Sequence, residues 1–205
     1  MSETPQRLTR AEQQQRTRER LLAAAADVFA EHGFDGSSID EITARAGFSR
    51  GAFYSNFTDK IDLLITLCDR RVAEFARDEL PLILATPEED RLAVVARWLA
   101  EDLPQEVLLV VELARHRNDR PDTAAALQEL LDRVLAGIEG ILGAEGSELA
   151  SLSVEERRVR AHAALGAILG MELLGYLGAP ADAQVIELML AGVAATDPGD
   201  LGNGR

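Results

Sequence analysis

The sequence predicts an all-α fold of about nine helices, and three features carry that reading. Apolar residues recur at spacings of three and four through most of the chain, and no stretch sustains the alternation of a half-buried strand. Ala, Leu, Glu and Arg, all strong helix formers, are abundant, whereas Pro occupies only 7 of 205 positions. Hydroxyl residues also stand three positions before Glu, ahead of periodic runs, at Thr9–Glu12, Ser38–Glu41, Thr86–Glu89 and Ser153–Glu156. That is the pattern of a capping box, in which the hydroxyl and the carboxylate each satisfy an orphan N–H.

The first helix is expected over residues 10–32, where Leu21, Leu22, Ala25, Val28 and Phe29 form one stripe and Gly33 is placed to stop it. A short helix over about 39–46 ends at Gly47, and Ser49 caps a second over about 50–56. A longer helix runs from about Asp59 to 79 on the stripe Ile61, Leu64, Cys68, Val72 and Phe75. Pro81 marks a change to long helices, expected at about 88–102, 104–117, 121–142, 154–178 and 183–195. Pro87 suits a first helical position, where its missing donor costs nothing. The resulting organisation is an N-terminal extension (1–15), a helix-turn-helix domain (16–76), a C-terminal helical bundle (77–196) and a frayed tail (197–205).

Charge is distributed unevenly. The net charge is −14, yet residues 1–60 carry 8 basic and 9 acidic side chains, so the acidity lies beyond them. Arg7, Arg10, Arg16, Arg18 and Arg20 face only Glu12 and Glu19 within residues 7–20. A local basic footprint, not a basic total, is what phosphate binding requires; a merely solvated helix face accounts for the arginines equally well. The lone Cys68 permits no intrachain disulfide and fits a reducing cytoplasm, and its place on an apolar stripe favours a buried thiol over a redox sensor. No apolar run follows the N-terminal basic residues, and the most apolar stretch, 163–171, is too short for a bilayer, so no membrane association is expected.

The informative stretch is Ser38 to Lys60. Two short helices meet at Ala46-Gly47-Phe48, where Gly47 can supply the positive φ of a tight turn and Ala46 allows close helix contact. Ile39, Ile42, Phe48 and Phe53 are expected to fill the space between these helices and the first. The second helix can then enter a major groove by its N-terminal end.

Gly33-Phe34, Ser38-Ile39, Ile42, the run Ala46-Gly47-Phe48-Ser49-Arg50-Gly51-Ala52-Phe53-Tyr54-Ser55-Asn56-Phe57 and Lys60 together resemble the DNA-binding domain of the TetR family. The resemblance covers about residues 16–76. It implies a homodimer that binds double-stranded operator DNA and responds to a small-molecule effector, most often as a repressor. On matching positions it makes Arg50 the first base reader, and arginine pairs bidentately with guanine. It brings the Gly51 backbone close to DNA and offers Ala52 to a thymine methyl. Ser55 and Asn56 stand where relatives often carry histidine or aromatic residues, and could read bases or bind phosphate. Tyr54 and Lys60 become phosphate contacts, Ser38 and Ser49 phosphate-binding helix N-termini, and Arg16 and Arg18 contacts to backbone or minor groove. Phe57 reads as core.

The C-terminal bundle is expected to sense and to dimerise. Ala163, Ala164, Gly166, Ala167, Gly170 and Gly175 stand among Leu165, Ile168, Leu169, Leu173 and Leu174, so this helix can be approached closely on several sides. Leu165, Ile168, Leu169 and Leu173, with Ile186 and Met189 of the last helix, are the expected dimer interface, a four-helix bundle across a twofold axis. Val107 to Val111 predict a central, buried helix. Trp98, Glu112, Arg115 and His116 are the candidate ligand-binding residues. Glu112 can equally form an intrahelical pair with Arg115 or His116, and Trp98 can be ordinary core. No glycine-rich phosphate loop, nucleophile elbow or metal-ligand cluster suggests an enzyme, and His32, His116 and His162 lack zinc spacing. Neither cofactor nor metal is expected. The competing function is a helical interaction protein that binds DNA without sequence preference.

Overall fold

The computed structural model describes residues 9–102, 104–118, 120–145 and 147–195; Arg7 and the expected frayed tail lie outside them. Among the described residues there is no strand. The α-helices are α1 (Arg10–Gly36), α2 (Ile39–Ala46), α3 (Arg50–Tyr54), α4 (Lys60–Glu74), α5 (Leu80–Ala85), α6 (Glu88–Asp102), α7 (Pro104–Arg115), α8 (Pro121–Leu142), α9 (Val154–Tyr176) and α10 (Ala183–Ala195). The chain divides into two compact units between Leu67 and Cys68, within α4. None of the described helices is long and apolar enough to cross a membrane.

In the first unit α1 buries Leu21, Leu22, Ala25, Val28 and Phe29, the stripe expected. Its regular helical geometry breaks at Gly33, as expected, and a short turn follows to Gly36. Gly33 takes φ 71°, kinks the helix, and lets that turn bring Phe34 back into the core. Thr9 forms the expected capping box with Glu12. Ser38 caps α2, but Glu41 does not reach back to complete the box; its carboxylate lies 2.9 Å from Nε2 of His32 instead.

In the second unit the helix from Lys60 does not end near 79. A π-helical turn over Phe75–Glu79, closed by the Leu80 N–H on the Phe75 carbonyl, carries it into α5 without a break. The wider turn lies immediately before Pro81, whose missing N–H and bulky ring would disrupt a regular α turn. Thr86 terminates α5 rather than capping α6, since its hydroxyl donates to the Leu82 carbonyl at 2.9 Å. Ser153 does cap α9 with a complete box to Glu156.

The core of this unit joins Ala96 and Leu99 of α6, Ala164 and Met171 of α9, and Ile186 and Leu190 of α10. Packing of α10 on α6 and of α8 on α9 dominates its helix contacts. The expectation of a buried α7 is corrected. Val111 is exposed, Leu109 and Val110 are half-buried, and only Leu113 of its described side chains is in the core. Consecutive apolar residues wind around more than a full turn, and a helix at the edge of a layer buries only one side.

Candidate nucleic-acid interface

The exposed end of the first unit is built around α2, the turn and α3. Gly47 closes α2 in the left-handed region (φ 74°, ψ 35°), and the Phe48 N–H then donates to the Thr43 carbonyl at 2.9 Å. Only a residue without Cβ adopts this conformation freely. Arg20 of α1 stacks its guanidinium on the Phe48 ring at 4.9 Å, which holds the turn from outside. Ser49 then starts α3, its hydroxyl accepting the Ala52 N–H at 3.3 Å.

The helix has one buried anchor. Phe53 is 0% exposed and lies 5.6 Å from the Phe57 ring, which is also buried. Ile42 and Ala46 share that core, whereas Ile39 and Phe48 are only half-buried. With Phe53 turned inward, helical geometry turns Arg50, Gly51, Tyr54 and Ser55 outward, and all four are exposed.

The C-terminal end of α3 is held by α1. Arg18 places its guanidinium 4.3 Å over the Phe57 ring, donates from Nη1 to the Asn56 carbonyl at 2.6 Å and from Nη2 to Thr66 Oγ1 at 3.1 Å. A guanidinium with this many partners is positioned to orient α3. Lys60 is similarly engaged: Nζ donates to the carbonyls of Phe34 at 2.5 Å and Ser37 at 2.9 Å, and sits 4.3 Å over the Phe34 ring. It adds a charged donor to the Phe34 carbonyl, which also accepts the Ser37 N–H at 3.2 Å and the Ser37 hydroxyl at 2.6 Å, and supplies a donor to the carbonyl of the Ser37 cap. Asn56 turns inward and donates to the Ala52 carbonyl, while Ser55 donates to that of Gly51, both at 2.8 Å. Ser38 and Ser49 are occupied as caps of their own helices. Arg16 is exposed on α1. A cleft of about 210 Å³ opens between α1 and the end of α3, lined by Ala11, Gln14, Gln15, Arg18, Ser55 and Asn56.

The ion pairs of this unit include two made by arginines near the turn. Arg45 of α2 grips Glu31 of α1 with two bonds of 2.6 Å, which lowers the Glu31 carboxyl and raises the Arg45 guanidinium from their ordinary ranges. Arg50 pairs with Asp40, Nε to Oδ1 at 3.3 Å. The hydrogen bond to the Tyr54 side chain, and then the Asp40 charge, raise Arg50 from the usual guanidinium range. Asp40 was not singled out from sequence. Its signal was available only through the turn, which brings the start of α2 beside the start of α3.

In the second unit the candidate ligand residues do not form one polar anchor. Trp98 stacks on Phe75 at 4.7 Å between ring centroids, with Arg71 over its face at 5.6 Å. Glu112 pairs with Arg115 three residues on, at 2.9 Å, and lies 3.4 Å from His116 Nε2, so the intrahelical alternative describes this pair. Among the expected interface residues, Leu173 and Met189 are exposed and Leu165, Ile168 and Leu169 are half-buried. Ile186 is corrected. It is 2% exposed, in the core of the second unit, and offers almost no surface for further contacts. The neighbouring α10 positions Val185 and Leu188 point outward instead.

A capped helix held by one aromatic anchor and presenting an arginine at its free end defines the class: a helix-turn-helix DNA-binding protein. Comparison with known proteins agrees. Residues 21–67 match the family model described as bacterial regulatory proteins, tetR family. The HTH-type transcriptional repressor BepR of Brucella suis biovar 1 (strain 1330) is 31% identical over 146 residues, 66% of this chain and 68% of that protein. The chain spans about half of the transcriptional repressor AcnR of Corynebacterium efficiens, 52% of its length at 30% identity. The crystal structure of the regulator FadR from Bacillus subtilis in complex with stearoyl-CoA shares the fold, with a TM-score of 0.67 at 22% identity over 86% of this chain and 97% of that one. The chain belongs to the TetR family of transcriptional regulators, which are DNA-binding proteins and not enzymes.

Proposed function

We propose that the protein is a repressor that binds a palindromic operator as a homodimer and is released by a small-molecule effector. The observation that carries this reading is the outward edge of α3, where Arg50, Gly51, Tyr54 and Ser55 are exposed on a helix whose opposite side is buried. Arg50 reads a guanine, Ala52 and Ser55 touch neighbouring groups, and Tyr54 and Arg16 bind the phosphate backbone. The N-termini of α2 and α3, at Ser38 and Ser49, lend their dipoles to the same phosphates. Arg18 and Lys60 act from behind, and Asn56 keeps α3 in register.

Dimerisation is supported by an open apolar face. On α9 and its C-cap the exposed positions Val159, Ala163, Gly166, Gly170, Leu173 and Leu177 follow one another at spacings of four and three, along one side of the helix. Cβ atoms added at Gly166 or Gly170 would meet nothing within 4 Å, so this stripe is open to close helix approach. On α10, Val185, Leu188 and Met189 are exposed. A twofold pairing of these helices presents two copies of α3 to successive major grooves, about 34 Å apart.

An effector site belongs in the second unit, with Trp98 as its aromatic wall and Glu112, Arg115 and His116 at one polar edge. Elsewhere in this unit the hydroxyl of the fully buried Thr123 and Oε2 of Glu79 each have no hydrogen-bond partner, a need of the kind that a polar ligand relieves. The effector shifts the protein only if it binds the operator-competent and released states with different affinity. Such a regulator works beside the chromosome, in the cytoplasm.

Selection of bound fragments from randomised DNA tests the reading, with a palindrome as the expected product. Arg50→Ala is expected to abolish preference for that palindrome while leaving the dimer intact. A selected pool with no shared sequence, bound with a steep salt dependence, would instead support an interaction protein with sequence-independent DNA affinity.

A further inference from the structure

The turn at Gly47 brings a carboxylate against the base-reading arginine. Asp40 is the second residue of α2 and Arg50 the first of α3. Oδ1 of Asp40 lies 3.3 Å from Nε of Arg50, and Nη1 donates to Oδ2 at 3.4 Å. Both side chains are well exposed, 59% for Arg50 and 65% for Asp40. Burial therefore does not enforce the pair, and an exposed pair of this kind is held weakly. Asp40 thus places a negative charge on the face that the proposed function turns toward a polyanion. Helix chemistry explains only part of this, because an acidic residue in the first turn of α2 also complements its dipole.

We propose that Asp40 is a specificity-determining residue that buttresses Arg50. The inference rests on Arg50 reading a guanine. A guanidinium carries five N–H donors, so Arg50 can keep the carboxylate on one side and still offer its planar fork to O6 and N7 of a guanine. Held on one side by Asp40, the side chain has less rotamer freedom left to lose on reaching the base. A phosphate gains no such advantage. It would approach Arg50 only by approaching the Asp40 charge, and like charges repel. Asp40 therefore costs affinity on DNA that offers only phosphates and returns it where a guanine is present, which widens the gap between operator and non-operator sequence.

The test uses the duplex selected by the wild-type protein from randomised DNA, and the same duplex with its G·C pairs replaced by A·T. Affinities for both are measured for wild type, Asp40→Asn, Arg50→Ala, the double variant and Glu41→Gln. For Asp40→Asn, affinity for the guanine-free duplex is expected to rise and the preference between duplexes to fall about tenfold. The double variant should lose no more preference than Arg50→Ala alone. Glu41→Gln removes a charge one residue away, on a side chain paired with His32, and should change both affinities together. Full preference retained by Asp40→Asn, with preference lost in Arg50→Ala, overturns the inference and leaves the recognition helix standing. Equal losses in Glu41→Gln and Asp40→Asn overturn it too, since net charge then accounts for the effect. Preference retained by Arg50→Ala removes the base reader itself and the inference with it. A lower Tm for Asp40→Asn does not disturb the comparison, because both duplexes are measured on the same folded variant.

Discussion

The two units finish their surfaces differently. In residues 9–67 Phe53 of α3 and Phe57 after it are buried, and several polar groups near the turns find partners nearby: Lys60 on the end of α1, Arg18 on the end of α3, Ser38 and Ser49 on their own helices. Of the large hydrophobic residues there, only Tyr54 stands out in solvent. In residues 68–195 the helices pack into a core, yet Leu173, Leu174, Leu177, Val185, Leu188 and Met189 stay exposed on α9, its C-cap and α10. Scattered surface hydrophobes are ordinary, but a run that follows one helix face marks an interaction surface. The first unit is complete as a single chain and offers polar chemistry outward, while the second leaves apolar area that a second copy would cover.

The comparison breaks most readily at the second unit. Leu188 is 74% exposed, so Leu188→Glu should leave the isolated chain folded and its helix content unchanged. Sedimentation equilibrium should then show monomers, because an unpaired charge in an apolar interface costs about 3–5 kcal/mol. A dimer of undiminished affinity would mean that this face is not the interface. The first unit is sharpened by smaller changes. Gly47→Ala puts a Cβ on a left-handed residue, which costs about 1–2 kcal/mol. The added atom would also stand 3.3 Å from Nη2 of Arg20, the end of a flexible side chain that can give way. Urea unfolding should report that loss with no change in oligomeric state. Lys60→Met should cost about 1–2 kcal/mol by removing the charged donor from the Phe34 and Ser37 carbonyls. The salt slope of DNA binding separates its two possible roles. An unchanged slope fits a latch, and a slope lower by about one fits a phosphate contact.

Helix existence was legible because each helix carries its own local signals. The Thr9 and Ser153 boxes form as the spacing suggested, and the stripe from Leu21 to Phe29 is buried as the period demanded. Signals that depend on a second element were not legible. Gly33 reads as a stop and does break the helix, but the short turn after the kink, which returns Phe34 to the core, was not legible. Pro81 reads as an end, but a π turn lets α4 run on into α5. In the candidate site the exposed positions of α3 follow from placing Phe53 inward. The occupation of Arg18 and Lys60 by carbonyls 38 and 26 residues away in sequence does not follow from any local pattern. Ile186 and Leu188 are both apolar and two residues apart, and nothing local says which one the core takes.

Sequence alone determined the helical class, the position of the turn and the residue types offered on α3, because capping, periodicity and a glycine at a left-handed turn act within a few residues of one another. Only the tertiary structure decided which polar groups stay free for a ligand and which close on the protein, and which apolar residues are core and which surface. Those choices rest on contacts between segments far apart in the chain, and each side chain's free energy there depends on which partners the fold brings within reach.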